Sequence, residues 1–80
     1  MLEIGEKVEL DNNKEYIVTN KTNLHNINYL YLVSNFKPLE MLVVSEKDEN
    51  GEIVLNEVKD NNELDYVLSH LATADDLTNN

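Results

Sequence analysis

What most limits the folds open to this chain is a change of period along its length. From Lys7 to Val58 the apolar residues come in short runs, rich in β-branched and aromatic side chains and broken by Asn, Asp, Gly or Pro. Beyond Lys59 they recur as Leu64, Val67, Leu68 and Leu71. Alternation and β-branched runs mark strands. The i, i+3, i+4, i+7 spacing marks one face of an amphipathic helix. A chain built this way folds as a sheet closed by a C-terminal helix.

Five strands are expected: Lys7 to Leu10, Glu15 to Asn20, Ile27 to Val33, Met41 to Ser45 and Ile53 to Val58. Asp11-Asn12-Asn13-Lys14 supplies turn chemistry between the first two. Lys21 to Asn26 is polar and reads as a loop. The run Ile27-Asn28-Tyr29-Leu30-Tyr31-Leu32-Val33 is nearly continuous in apolar residues, as in a central strand covered on both faces. Pro38 interrupts the next connection, and Asn50-Gly51 favours a hairpin turn. Asp60 stands at the N-cap of the helix, Glu63 lies at capping-box spacing, and His70 is placed near the C-terminal end. The helix is expected over Asn61 to Ala72. The expected class is α+β, mainly β: a four- to five-stranded antiparallel meander or half-barrel with one C-terminal helix packed on it. Residues 1–72 form the domain, and residues 73–80 a flexible tail.

Eighty residues suffice for one domain. A chain of this size buries only roughly 60% of its unfolded surface, so small scaffolds often add disulfides or metals. With no cysteine, neither a disulfide nor a thiolate metal site is open to it. No stretch has the roughly 20 apolar residues of a membrane span, and the N-terminus shows no export signal. The expectation is a cytoplasmic protein that does not bind membranes.

Charge narrows the function further. Sixteen Asp and Glu stand against six Lys and no Arg, for a formal net charge of −10. Such a chain is repelled by nucleic acid, whose binding needs cations to replace condensed counterions. The acids concentrate at Glu40, Glu46, Asp48, Glu49, Glu52, Glu57, Asp60, Glu63 and Asp65, with only Lys47 and Lys59 among them, while Asn20 to Leu39 holds none. These nine form the expected partner-binding set, complementary to a basic protein surface. The alternative is a solvated face whose charge serves solubility alone.

Chemistry-bearing patterns are sparse. Glu46, Asp48, Asn50, Gly51, Ile53 and Glu57 fall at EF-hand spacings, which makes a weak calcium loop of Glu46, Asp48, Asn50 and Glu57 the one metal candidate. Against it, Glu replaces the usual first Asp, strand composition precedes the loop, and an Asn-Gly hairpin explains the same residues. His25 and His70 lack metal-ligand spacing. Ser34, Ser45 and Ser69 lack a nucleophile elbow, and two glycines make no phosphate cradle. Tyr16, Tyr29, Tyr31 and Tyr66 read as rings buried in a small sheet with their hydroxyls wet. No catalytic residue, cofactor or enzymatic activity is expected.

The segments Glu15-Tyr16-Ile17-Val18, Tyr29-Leu30-Tyr31-Leu32-Val33, Asp48-Glu49-Asn50-Gly51-Glu52 and Asn62-Glu63-Leu64-Asp65-Tyr66-Val67 together resemble the YrzB-like family of short acidic bacterial proteins of unknown function. The chain departs from that pattern in its polar stretch from Lys21 to Asn26 and in its few acids before Glu40. The resemblance implies no activity, cofactor or site residue. An Asn-rich, Arg-free composition equally suits a phage or mobile-element gene. The leading expectation is a non-enzymatic interaction module, monomeric or a small homo-oligomer, that docks a basic partner. Its sharpest form is an inhibitor of anti-CRISPR or anti-restriction type, mimicking nucleic acid in the groove of a nucleic-acid-binding protein. The alternative is a housekeeping domain.

Overall fold

A computed structural model describes residues 2–78, with side chains described for 2–70. Five strands, β1 (Lys7–Glu9), β2 (Glu15–Leu24), β3 (Ile27–Ser34), β4 (Met41–Glu49) and β5 (Glu52–Glu57), precede one helix, α1 (Asn61–Thr78). The strands form one sheet in the order β1-β2-β3-β4-β5, each antiparallel to its neighbour. The sheet curls into a half-barrel with the helix packed on it, the architecture that the change of period implied.

Lys21 to Asn26 is not a loop. Its polar residues continue β2, pairing Thr22 with Tyr29, Asn23 with Asn28 and Leu24 with Ile27. Asn23 Nδ2 donates to Asn28 Oδ1 at 2.6 Å, a cross-strand amide pair that polarity alone does not reveal. His25 and Asn26, at φ 52° and 66°, then close a two-residue hairpin. Its left-handed backbone fits the twist of the strands, and Asn tolerates it. Asn50 and Gly51, at φ 56° and 87°, close the β4–β5 hairpin in the same way. In β2 the register shifts between Val18 and Asn20, a bulge at Thr19, whose Oγ1 donates to the Tyr31 carbonyl at 3.1 Å. A bulge adds local twist and bends its strand, which helps to curl the sheet.

The apolar residues divide between the two faces of the sheet. Tyr16, Val18, Leu30, Leu32 and Val44 are fully or almost fully buried on the inner face of the curl, with Leu2, Val8, Leu10, Phe36, Leu42 and Leu55 around them. Tyr29, Val43, Val58 and Val67 form a second core on the other face, under the helix, joined by Leu24, Tyr31, Leu64 and Leu68. Strand β3 serves both by its period of two: Leu30 and Leu32 go one way, Tyr29 and Tyr31 the other. Val67 is completely buried, and burial of such a side chain contributes about 1.5–3 kcal/mol.

Asp60 caps the helix as its position implied. Its Oδ1 accepts the backbone N–H groups of Asn62 at 2.8 Å and Glu63 at 3.0 Å. Glu63 does not complete a reciprocal capping box; its carboxylate turns to Tyr29 instead. The helix runs to Thr78, past the expected end at Ala72, so His70 lies within it rather than near its C-terminus. Of the expected tail, residues 73–80, Asn79 and Asn80 lie outside the described residues, as does the Leu71 side chain. Among the described residues no helix is long and apolar enough to cross a membrane.

Candidate functional site

The nine acids of the expected partner-binding set do not share one surface. Glu40 lies immediately before β4, where its carboxylate accepts a hydrogen bond from the Tyr16 hydroxyl at 2.9 Å and pairs with Lys14 at 3.3 Å. The Tyr16 bond first, then Lys14, holds the Glu40 carboxyl below its usual range. Asp60 is occupied as the helix cap. Glu63 accepts the Tyr29 hydroxyl at 2.7 Å, tying the first turn of the helix to the central strand.

Glu46 is buried, at 6% exposure, and so leaves the acidic surface. The reason is parity. Strand β4 continues beyond Ser45, so Glu46 falls in phase with Leu42 and Val44 and points into the curl, opposite Asn28 and Leu55. One carboxylate oxygen accepts the Leu2 backbone N–H at 2.8 Å, drawing the N-terminal segment over the sheet. The other, Oε1, meets no hydrogen-bond partner.

The remaining acids, Asp48, Glu49, Glu52, Glu57 and Asp65, are exposed. Asp48 Oδ1 accepts the Gly51 N–H at 2.9 Å and so stabilises the Asn50-Gly51 turn. Glu49 and Glu52 are paired directly across the hairpin, a like-charge juxtaposition that destabilises a sheet unless a cation relieves it. The ion pairs among the described residues are Lys14–Glu40 and Lys21–Glu3, neither of them at this hairpin.

The calcium spacing dissolves in the same geometry. Glu46 is inside the curl, Asn50 forms the turn and Glu57 lies at the far end of β5. Among the described residues no three His, Asp or Glu side chains gather as a metal site requires. The two histidines, far apart in sequence, meet around Tyr66. The His25 ring stacks on it at 6.0 Å, and the His70 ring packs edge-on at 4.6 Å. The Tyr66 carbonyl lies 2.9 Å from His70 Nδ1 and accepts its proton. Tyr66 is 40% exposed, unlike the buried Tyr16 and Tyr29.

Tyr29 yields a measurable consequence. Its hydrogen bond to Glu63, then burial and the negative charge of Glu63, push the phenol up to about 12 from 10.0. The neutral phenol is the form the fold favours. Its contribution to stability is intact below pH 10.0 and is lost as the pH climbs to about 12. An ultraviolet phenolate titration should resolve one tyrosine ionising near pH 12, and Tyr29→Phe should delete that component. A titration unchanged in the variant would mean that another residue is responsible.

One region was not anticipated. The two edges of the half-barrel face each other across an open seam, where a groove of about 720 Å³ is lined by Glu9, Leu10, Asp11, Leu55, Glu57 and Lys59 among others. Glu9 and Asp11, far from Glu57 in sequence, are brought to the same opening. Only the closure of the sheet reveals this; the one hint in the sequence is the position of both acids beside the first turn. No protein-family model, curated protein or solved structure matches the chain.

Proposed function

We propose that this protein is a non-enzymatic interaction module that docks a basic surface of a protein partner through its exposed carboxylates. The observation that carries this reading is that, among the described residues, Glu49, Glu52, Glu57 and Asp65 make no ion pair: the ion pairs lie elsewhere, at Glu40 and Glu3. A cationic partner relieves the Glu49–Glu52 repulsion on binding, and its approach is steered by the net charge of −10. The side chains with displaced pKa values, Tyr29 and Glu40, are tied into bonds that fix the helix and the β2–β4 contact, not poised for proton transfer.

The test is capture from a host extract by wild type and by Glu49→Lys, Glu52→Lys, Glu57→Lys, Asp65→Lys combined, at low and high salt. A partner of basic composition should be retained by wild type, released as salt screens the contact, and lost in the reversed variant by about tenfold or more. Retention that ignores both salt and charge reversal contradicts the proposal and favours the reading in which charge serves solubility. The narrower form, an inhibitor that mimics nucleic acid, adds a requirement. The captured partner must release its DNA or RNA when this protein is added.

A further inference from the structure

We propose that the seam between β1 and β5 accepts an extended, Lys- or Arg-bearing segment of the partner, which adds to the β5 edge as a sixth strand. This rests on the reading of the protein as an acidic docking module and names where, and in what conformation, the partner binds.

Register identifies the open hydrogen-bonding groups. In a two-residue hairpin the closing pair, here Glu49 and Glu52, exchanges both backbone bonds, and bonded pairs then alternate along the ladder. Val54 and Asn56 bond to β4, and the Val58 N–H continues the series to the Val43 carbonyl at 2.8 Å. The N–H and C=O groups of Ile53, Leu55 and Glu57 therefore point away from β4, toward the seam. Strand β5 is the last in the sheet order, so among the described residues no strand pairs with that edge. Six residues at strand rise present about 20 Å of template.

The side chains along that edge match the same occupant. Ile53, Leu55 and Glu57 stand on the groove side, with Leu42 and Val44 as the floor and Leu10 opposite. Ile53 is 43% exposed, an apolar side chain left at the rim. Glu9, Asp11 and Glu57 supply carboxylates against the single amine of Lys59. An incoming strand whose groove-facing residues, every second one along it, include apolar side chains beside Ile53 and Leu55 and a Lys or Arg beside Glu57 meets both. Main-chain pairing supplies affinity in this mode, and side-chain pockets supply specificity. A second copy of this chain suits the edge poorly, because each copy carries a net charge of −10 and brings the Glu52 and Glu57 carboxylates to the shared edge. Acidic edge residues are a known means of discouraging such self-pairing.

The probe is a fluorescein-labelled peptide of about ten residues in which every second position, the groove-facing set, carries Val and Lys in turn with Thr between them, long enough to span β5. Its control is the same peptide N-methylated at alternate backbone positions, which keeps the charge and removes the donors. Anisotropy should show binding that weakens between about 50 mM and about 300 mM salt. The N-methylated peptide should bind about tenfold or more weakly. Amide shifts in NMR spectra should be largest at Ile53, Leu55 and Glu57. Glu9→Lys, Asp11→Lys, Glu57→Lys combined should abolish binding, whereas Glu49→Lys, Glu52→Lys, Asp65→Lys combined should only reduce it.

Equal binding of both peptides, or loss confined to the Glu49, Glu52 and Asp65 variant, overturns strand addition and leaves acidic docking standing. Failure of the unmethylated peptide to bind the folded protein overturns the seam as a site, and capture from extract then decides the broader reading separately. A dimer of the free chain that the peptide does not dissociate overturns the proposal in favour of a second copy.

Discussion

Val67→Asp should release the helix from the sheet and unfold the domain. Val67 has no exposed surface and sits among Tyr29, Val43 and Val58. A carboxylate placed there finds no cation among its core neighbours, and an unpaired charge in an apolar site costs several kcal/mol even after relaxation. A domain of this length is stable by only about 4–12 kcal/mol, at roughly 0.05–0.15 kcal/mol per residue. The substitution therefore consumes a large part of the whole margin. Circular dichroism should show the helical signal falling and the cooperative thermal transition shifting far down or vanishing. Leu68→Asp should be milder, because Leu68 is only partly buried and its acid can reach water. A Val67→Asp protein that melts like wild type would mean that the helix is not docked through this face.

Tyr16→Ala should be nearly as damaging, and for a different reason. Tyr16 is the largest of the fully buried side chains among the described residues, packed edge-on against Phe36 at 5.8 Å between ring centroids. Removing a buried aromatic ring costs about 3–5 kcal/mol. In a domain this small that loss corresponds to a fall of about 15 °C or more in Tm. Tyr16→Phe separates the hydroxyl from the ring. The hydroxyl bond is the main reason that the Glu40 carboxyl sits below its usual range, so the variant should let that group titrate at higher pH. A depressed carboxyl stabilises the fold above its ordinary value of 4.5, and that contribution is lost as the pH falls through the lowered value. The stability gap between wild type and Tyr16→Phe should therefore be widest near neutrality and narrow in acid. A gap of constant size across that range would separate Glu40 from Tyr16.

The periods of the sequence carried most of this fold, because each element announces itself locally. The Asn50-Gly51 turn, the Asp60 cap and the Leu64, Val67, Leu68 stripe depend on neighbours a few residues away. What escaped depends on partners distant in the chain. Lys21 to Asn26 looks like a loop until Asn28 and Tyr29 stand opposite it. Glu46 looks like one more surface acid until β4 is seen to continue past Ser45. Counting in twos from Leu42 and Val44 was the available signal for its burial. The candidate site was less legible than the fold. Residue types locate charge along the chain, but only the curl of the sheet brings Glu9 and Asp11 to the same opening as Glu57, and only the register tells which β5 backbone groups face outward.

The division of β3 between two cores bears on how proteins built this way diverge. Leu30 and Leu32 support the seam side while Tyr29 and Tyr31 support the helix, so the two sides of the sheet answer to separate sets of neighbours. Exchanges at Ile53, Glu57 or Asp11 change what the seam presents without touching Val43, Val58 or Val67 beneath the helix. Exposed residues at the seam can therefore vary while the core beneath the helix stays the same.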